Sequence, residues 1–254
     1  MLRPRGDPLT QHHSDHGQTW RYVFTGPAHT YYVTAADEVI AKAVASGTQP
    51  TIHIYSRDPP GISVGRTRSV SEDVNLEEAA REGVIIVRRK SGGGTIYTDR
   101  DCLIYAVACP QKDFSPDSVF ASFCPAIIKT LEGFGITCER KLPNDVTLNG
   151  RKVSGNAAAW SSGVTLAHGT IMLDGDVERM TRILGIKKPG YVTTVRAETG
   201  RLLPYDDVAS SLANNLAAAF GANIESGSFT ESETKEIERL VRERYSRDEW
   251  NYRY

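Results

Sequence analysis

Apolar and polar positions alternate along this chain in short blocks, and their spacing predicts a run of strands and helices. "TWRYVFTG" and "TIHIYSR" (51–57) have strand composition, and "TYYVTAADEVIAKAVASG" between them has helical spacing and closes near Gly47. "NLEEAAREG" predicts a short helix closed by Gly83, followed by the strand "VIIVRR" and, beyond a run of glycines, the strand "TIYT". "CLIYAVAC" (102–109) is apolar nearly throughout, the pattern of a strand buried on both faces. Residues 115–134 read as a helix that Pro125 should kink or split. Val208, Leu212, Leu216 and Phe220 fall at helical spacing over 205–220. A last helix opens with Thr230 and Glu233 in capping-box spacing and shows an Ile237, Leu240, Val241 and Tyr245 stripe. Strands gather in the first two thirds and helices in the last third. That favours an α+β fold, with mixed or antiparallel sheets and flanking helices, over a doubly wound one.

Composition narrows the class. Of the 254 residues, 40% are apolar and 24% charged, which supports a solvated protein with a real core. A net charge of −1 argues against a non-specific nucleic-acid binder or a membrane-surface protein. No apolar run approaches bilayer length and the first residues hold no signal core, so the expected location is the cytoplasm. Residues 1–18 are polar and read as a disordered tail ahead of a folded unit at 19–254. The tail's His12, His13 and His16 have no preorganised geometry for a metal. Cys102, Cys109, Cys124 and Cys138 form no CxxC pair, which leaves a zinc ribbon or thioredoxin-type site without support; buried free thiols in a reducing compartment are expected.

Two stretches carry candidate chemistry. In "VIIVRRKSGGGTIYTD" (84–99), three successive glycines lie between two strands, with Arg88, Arg89 and Lys90 at the entrance. Glycine is costly to order, and a run without side chains lets backbone N–H groups close on an anion. A plain glycine-rich hairpin turn is the competing reading. Neither GxGxxG nor GxxxxGK[ST] occurs, so this is not a dinucleotide or P-loop fingerprint. In "LPNDVTLNGRKVSGNAAAW" (142–160), Asn149-Gly150 predicts a type I′ hairpin. Pairing 148 with 151, 147 with 152, 146 with 153 and 145 with 154 puts Asp145, Thr147, Lys152 and Ser154 on one face and Val146, Leu148, Arg151 and Val153 on the other. Either the polar face is a surface ion pair, or Lys152 holds an anion while Asp145 holds a metal or cationic group. His168 lies in the strand-like "GVTLAHGTIMLDGD", where a satisfied core histidine and a site residue are both open readings.

Taken together, these stretches resemble the lipoate–protein ligase A family of the biotin/lipoate ligase superfamily. "RRKSGGGTIYTDRDCL" is similar to its RRxSGGGxVxHDxGNL, "LPNDVTLNGRKVSGNA" to its RND…GRKxSGxA, and "LAHGTIML" to its HHGTLL. Weaker echoes are "AADEVI", "PPGISVGR" and "RYSRDEWN", so the likeness spans roughly 20–250. The resemblance implies the superfamily's catalytic-domain fold and a two-step reaction. Lipoate and MgATP give lipoyl-adenylate, and a lysine of a lipoyl domain (2-oxoacid dehydrogenase E2) or of glycine-cleavage H protein then takes the acyl group. It further implies that Arg89, Gly94, Thr95, Ile96 and Tyr97 meet the nucleotide. Lys152 would meet the carboxylate and α-phosphate as a catalytic residue, and Asp145, beside Asn144, would hold Mg²⁺. The same motifs place Ser91, Gly92, Gly93, Ser154, Gly155, His168, Gly169 and Thr170 in the ATP- and lipoate-binding set.

The chain departs from the family pattern at Thr98 and Ala167, where histidines are usual, at Cys102, where asparagine is, and at Arg68, where related chains often have glutamine. It ends at Tyr254 without the small C-terminal accessory domain of many such ligases, so a separate accessory subunit is one expectation and a different activity another. A cysteine-dependent octanoyl or lipoyl transferase is the rival, with Cys138 as its candidate nucleophile; the CFxxPSxYEL surroundings of such enzymes are missing. A catalytically idle lipoate-binding protein is disfavoured because Lys152 and Asp145 are both present. A biotin ligase is disfavoured because its GRGRxGR-type loop is absent.

Overall fold

The computed structural model describes residues 18–111, 115–185 and 190–254, so the tail expected at 1–18 lies outside the described residues except for Gln18. In chain order the elements are β1 (Thr19–Ala28), α1 (Thr30–Ala45), β2 (Thr51–Arg57), β3 (Gly61–Val64), α2 (Val70–Asp73), α3 (Leu76–Arg81), β4 (Ile85–Arg88), β5 (Ile96–Thr98), β6 (Cys102–Pro110), α4 (Pro116–Gly133) and β7 (Glu139–Lys141). β8 (Asp145–Leu148), β9 (Arg151–Ser161), β10 (Val164–Met172), α5 (Val177–Leu184), α6 (Val195–Thr199), α7 (Tyr205–Ala218), β11 (Asn223–Gly227) and α8 (Glu231–Leu240) follow. A π turn (Val241–Tyr245) and α9 (Asp248–Asn251) complete the chain.

Eight strands form one sheet in the order β11-β1-β2-β6-β10-β9-β8-β7, and three form a second in the order β4-β3-β5. Both sheets are mixed: β1 runs parallel to β2 and β11, and β3 parallel to β4, while the central pairs β2–β6, β6–β10 and β10–β9 are antiparallel. This is the expected α+β architecture. β6 is central, and its two faces explain its unbroken apolar run. Leu103, Tyr105 and Val107 pack with Phe123, Ile127 and Leu131 of α4 and Leu212 and Leu216 of α7. Ile104 faces the small sheet with Ile62 and Tyr97, and Ala106 and Ala108 face Ile40 and Val44 of α1. Burying both faces of a strand excludes the alternation that marks a half-exposed one. Among the described residues no helix is long and apolar enough to cross a membrane.

Helix ends follow local chemistry. Asn75 caps α3, and Thr230 with Glu233 forms the expected capping box at α8. Three expectations change. α4 runs unbroken across Pro125, because Pro125 is on the exposed face, where water can take up the carbonyl freed by its missing N–H. α7 ends at Ala218, so Phe220 lies beyond it, 41% exposed, with its ring against Trp20 and Phe123. β11 breaks the strands-then-helices order: "NIESG" has little apolar signal because it is an exposed edge strand beside β1.

Candidate functional site

The β8–β9 hairpin forms with Asn149 and Gly150 both at positive φ, 52° and 76°, as a type I′ turn requires. Its register slips once. Leu148 pairs with Arg151 and Thr147 with Lys152, but Val146 pairs with Ser154 and Asp145 with Gly155. Val153 is the extra residue of a bulge, fully buried in the core with Val146 and Leu148, so burying it overrides an uninterrupted ladder. The expected pairs 146–153 and 145–154 are therefore corrected. Arg151, expected on the apolar face, is instead exposed and pairs with Glu198 at 2.7 Å. The bulge leaves Lys152 and Asp145 together, Nζ to Oδ1 2.6 Å, with Tyr191 donating to the other carboxylate oxygen at 2.9 Å. A Cβ at Gly155 would lie 2.6 Å from Lys152 Nζ, so glycine here makes room for the ammonium. The Lys152 backbone is fixed on its other side, its N–H donating to Tyr191 O and its carbonyl accepting from Thr193. Asn144 donates to the Asn156 carbonyl and thereby clamps the hairpin base.

The glycine loop is not a hairpin turn. β4 and β5 lie on opposite edges of β3, so residues 89–95 cross that strand. Arg89, 7% exposed, holds the crossing: Nε donates to Ser91 Oγ, Nη1 to Ser63, and Nη2 to the carbonyls of Gly92 and Gly94, both at 2.7 Å. Burial and the neighbouring Arg57 lower its pKa to about 10. Gly93 has φ 90°, and a Cβ there would stand 3.0 Å from Arg89 Nη2 and 3.3 Å from Ala157. Among the described residues no acceptor meets the N–H groups of Gly92, Gly93 or Gly94, which leaves them open to an anion. Thr95 is tied to Asp73 Oδ2 at 2.5 Å, and Arg68 pairs with the same carboxylate.

The loop and the hairpin open on one pocket of about 170 Å³. Arg89, Ser91, Gly94, Thr95, Ile96, Asn144, Lys152, Gly155, His168, Gly169 and Thr170 line it. Tyr97 and Ser154 line an adjoining recess walled by Met172, Met180 and Leu184. Gly92, Gly93 and Asp145 do not line either space: the two glycines are exposed on the outside of the loop, and Asp145 reaches the pocket through its ion pair with Lys152. A Cβ at Gly169 would overlap Asn156 Oδ1, so this glycine answers to packing.

The pocket's inner end holds residues that motif reading missed. Asp37, on the sheet-facing side of α1, accepts from Tyr55 OH at 2.8 Å and contacts His53 Nδ1 at 3.2 Å and His168 Nδ1 at 3.8 Å. Burial by itself would raise its pKa; the two histidines overcome burial and pull it from 3.8 to about 2. His168 Nε2 lies 2.6 Å from Ser91 Oγ, which also accepts from Arg89. A neutral His168 with its proton on Nδ1 toward Asp37 satisfies this chain, and burial lowers its pKa accordingly. His168 is thus both a satisfied buried histidine and a pocket residue. Glu38 gathers Lys42, Lys90, Arg244 and Tyr245, whose pull outweighs burial and holds it near 2. Arg57 also lines this end. A signal existed for each: acids at buried helical spacing between Val33 and Ile40, and a cation ending an otherwise wholly buried strand.

None of the four thiols lines the pocket. All are buried, and burial raises the Cys109 and Cys138 pKa to about 11 and those of Cys102 and Cys124 upward. Among the described residues no group of three His, Cys, Asp or Glu side chains could cage a metal. Asp145 is the one carboxylate beside Lys152 among the described residues, its oxygens engaged by Lys152 and Tyr191; Mg²⁺ that arrives with phosphates needs only one or two protein carboxylates.

Residues 29–217 match the lipoyl protein ligase A/B catalytic domain. The chain is 28% identical to octanoyltransferase LipM of Kyrpidia tusciae over 93% of its own length and 99% of that protein's. It is also 28% identical to lipoate-protein ligase LplJ of Bacillus subtilis, over 78% of its length and 63% of the relative's. Among solved structures, it is similar to the bipartite lipoate protein ligase of Thermoplasma acidophilum. The TM-score is 0.84 with 92% of this chain and 96% of that one covered; at 23% identity this likeness establishes the fold alone.

Proposed function

The chain belongs to the lipoyl protein ligase A/B catalytic-domain family, and from that premise we propose that it is an adenylating lipoate–protein ligase. The lipoate carboxylate attacks the α-phosphorus of ATP and expels pyrophosphate. The ε-amine of an acceptor lysine then attacks the lipoyl-AMP carbonyl and expels AMP. The acceptors would be lipoyl domains or glycine-cleavage H protein, and a separate small accessory subunit would complete the enzyme. The working unit is 19–254, in the reducing cytoplasm.

The observation that carries this reading over a thioester-forming transferase is the pocket's inventory: the Lys152 ammonium and Gly94 of the glycine loop line it, and no thiol does. Lys152 would stabilise negative charge that grows between carboxylate and α-phosphate, and the loop N–H groups would bind the phosphates, all fixed before reaction. Arg89 would act through the loop, since its five N–H groups already hold Ser63, Ser91, Gly92 and Gly94. Asp145 would hold Mg²⁺, which supplies positive charge on the nucleotide phosphates when bound. The similarity to LipM keeps the transferase as the rival reading.

Cys138→Ser separates the two. The ligase reading expects the variant to keep ATP-dependent lipoylation, and intact mass spectrometry with octanoyl-carrier protein to find no acyl adduct on the wild type. A hydroxylamine-sensitive adduct that disappears in Cys138→Ser would establish the transferase instead. If the isolated chain has neither activity, adding an accessory domain in trans should restore the ATP-dependent one.

A further inference from the structure

Arg57 closes β2 at the inner end of the pocket and is 3% exposed. Its side chain donates from Nη2 to Thr34 Oγ1 at 3.3 Å and neighbours the Tyr55 hydroxyl, while Nε and Nη1 have no partner among the described residues. A guanidinium carries five donors and a charge that does not come off, so burying it half-satisfied is costly unless something else meets it. The nearby acids are engaged. Asp37 serves Tyr55, His53 and His168, and Glu38 serves Lys42, Lys90 and Arg244. Arg89, on the same wall, adds a second positive charge that Asp37 alone cannot offset.

The sheet fixes where Arg57 stands relative to Lys152. The order β2-β6-β10-β9 separates the two backbones by three strand spacings, roughly 14 Å. Tyr55 pairs with Ile104, and Ile104 with Thr170, so a partly apolar wall runs between the two cations.

We propose that the acyl substrate lies along this wall with its carboxylate at Lys152 and its far end at Arg57, and that Arg57 selects acids whose far end carries a hydrogen-bond acceptor. The proposal rests on the acyl-activating reading above. Octanoate ends in a methyl group and would leave the guanidinium buried and unpaired. The dithiolane of lipoate presents sulfur, a weak acceptor, and octanedioate presents a full carboxylate. A site that must pair a buried donor rejects analogues that cannot.

Calorimetric titration of the full chain with the three acids tests this. The expected order is octanedioate tightest, lipoate intermediate and octanoate weakest, with about tenfold or more between the extremes. Arg57→Met should abolish the preference for octanedioate and bring octanoate level with lipoate or above it. Equal affinity of the wild type for octanoate and octanedioate, or an unchanged order in Arg57→Met, would overturn the role of Arg57 while leaving the acyl-activating reading standing. If the wild type binds none of the acids, that reading falls and the proposal with it. Should Arg57→Met not fold, the wild-type order decides, and Arg57→Lys, which keeps charge but loses the planar fork, should narrow the range.

Discussion

The two ends of the pocket are built differently. The Lys152 end is a hairpin in which the ammonium, its carboxylate partner and the glycine that admits them lie within one stretch of chain, and Lys152 remains partly exposed. The inner end is assembled from α1, β2, the glycine loop and β10, and its Asp37, Arg57 and His53 are almost completely buried. Charge at the first end is met by an ion pair in contact with water, where a nucleotide can enter. Charge at the second is held by hydrogen bonds in a dry environment, where each unmatched donor or acceptor is costly and therefore selective. On the proposed reading, chemistry belongs to the open end and substrate identity to the closed one.

The sharpest way to break this division is Lys152→Ala. Adenylate formation should fall by roughly 10²–10³ with the fold intact, because a contact to growing charge is lost and the ion pair lost with it, to Asp145, is partly exposed. Near-wild-type pyrophosphate exchange, with an unchanged circular dichroism spectrum, would remove Lys152 from the chemistry. Gly93→Val strikes the loop that joins the ends. A β-branched residue at φ 90° costs about 1–3 kcal/mol and presses on Arg89 Nη2 and Ala157. Nucleotide and lipoate affinity should drop far more than the thermal midpoint, and equal affinity by calorimetry would make the loop a mere connection. A smaller effect concerns acid stability. The Asp37 pKa is lower in the folded chain, so the unfolded chain binds its proton first. The stability Asp37 contributes is present above about pH 4 and is lost as pH falls toward 2, about 2 kcal/mol in all. Urea unfolding of Asp37→Asn should show a shallower decline than wild type across that window; identical slopes would deny Asp37 its buried pairing.

Sequence reading reached the open end because its signals are local. Asn149-Gly150 sets the turn, and the glycine run with its basic entrance marks the loop. It missed the bulge at Val153, since register depends on which valine the core accepts. The inner end was legible only in part, through Ser91, His168 and the "AADEVI" echo, and for a stronger reason. Asp37 and Arg57 look like ordinary charges on a helix and at a strand end, and their importance comes from the sheet order that places β2 beside β6 and from α1 lying across them. Capping at Thr230 and the buried run at 102–109 were legible because a cap and a two-faced strand are written in consecutive residues, whereas β11 was not, because an exposed edge strand needs few apolar side chains.

The central claim is that the open end activates a carboxylate with ATP. Lipoate-dependent exchange of labelled pyrophosphate into ATP, measured with and without a candidate accessory subunit, tests it most directly. The account predicts exchange that requires lipoate and is lost in Lys152→Ala. No exchange under either condition, together with acyl transfer from octanoyl-carrier protein through a cysteine, would contradict it.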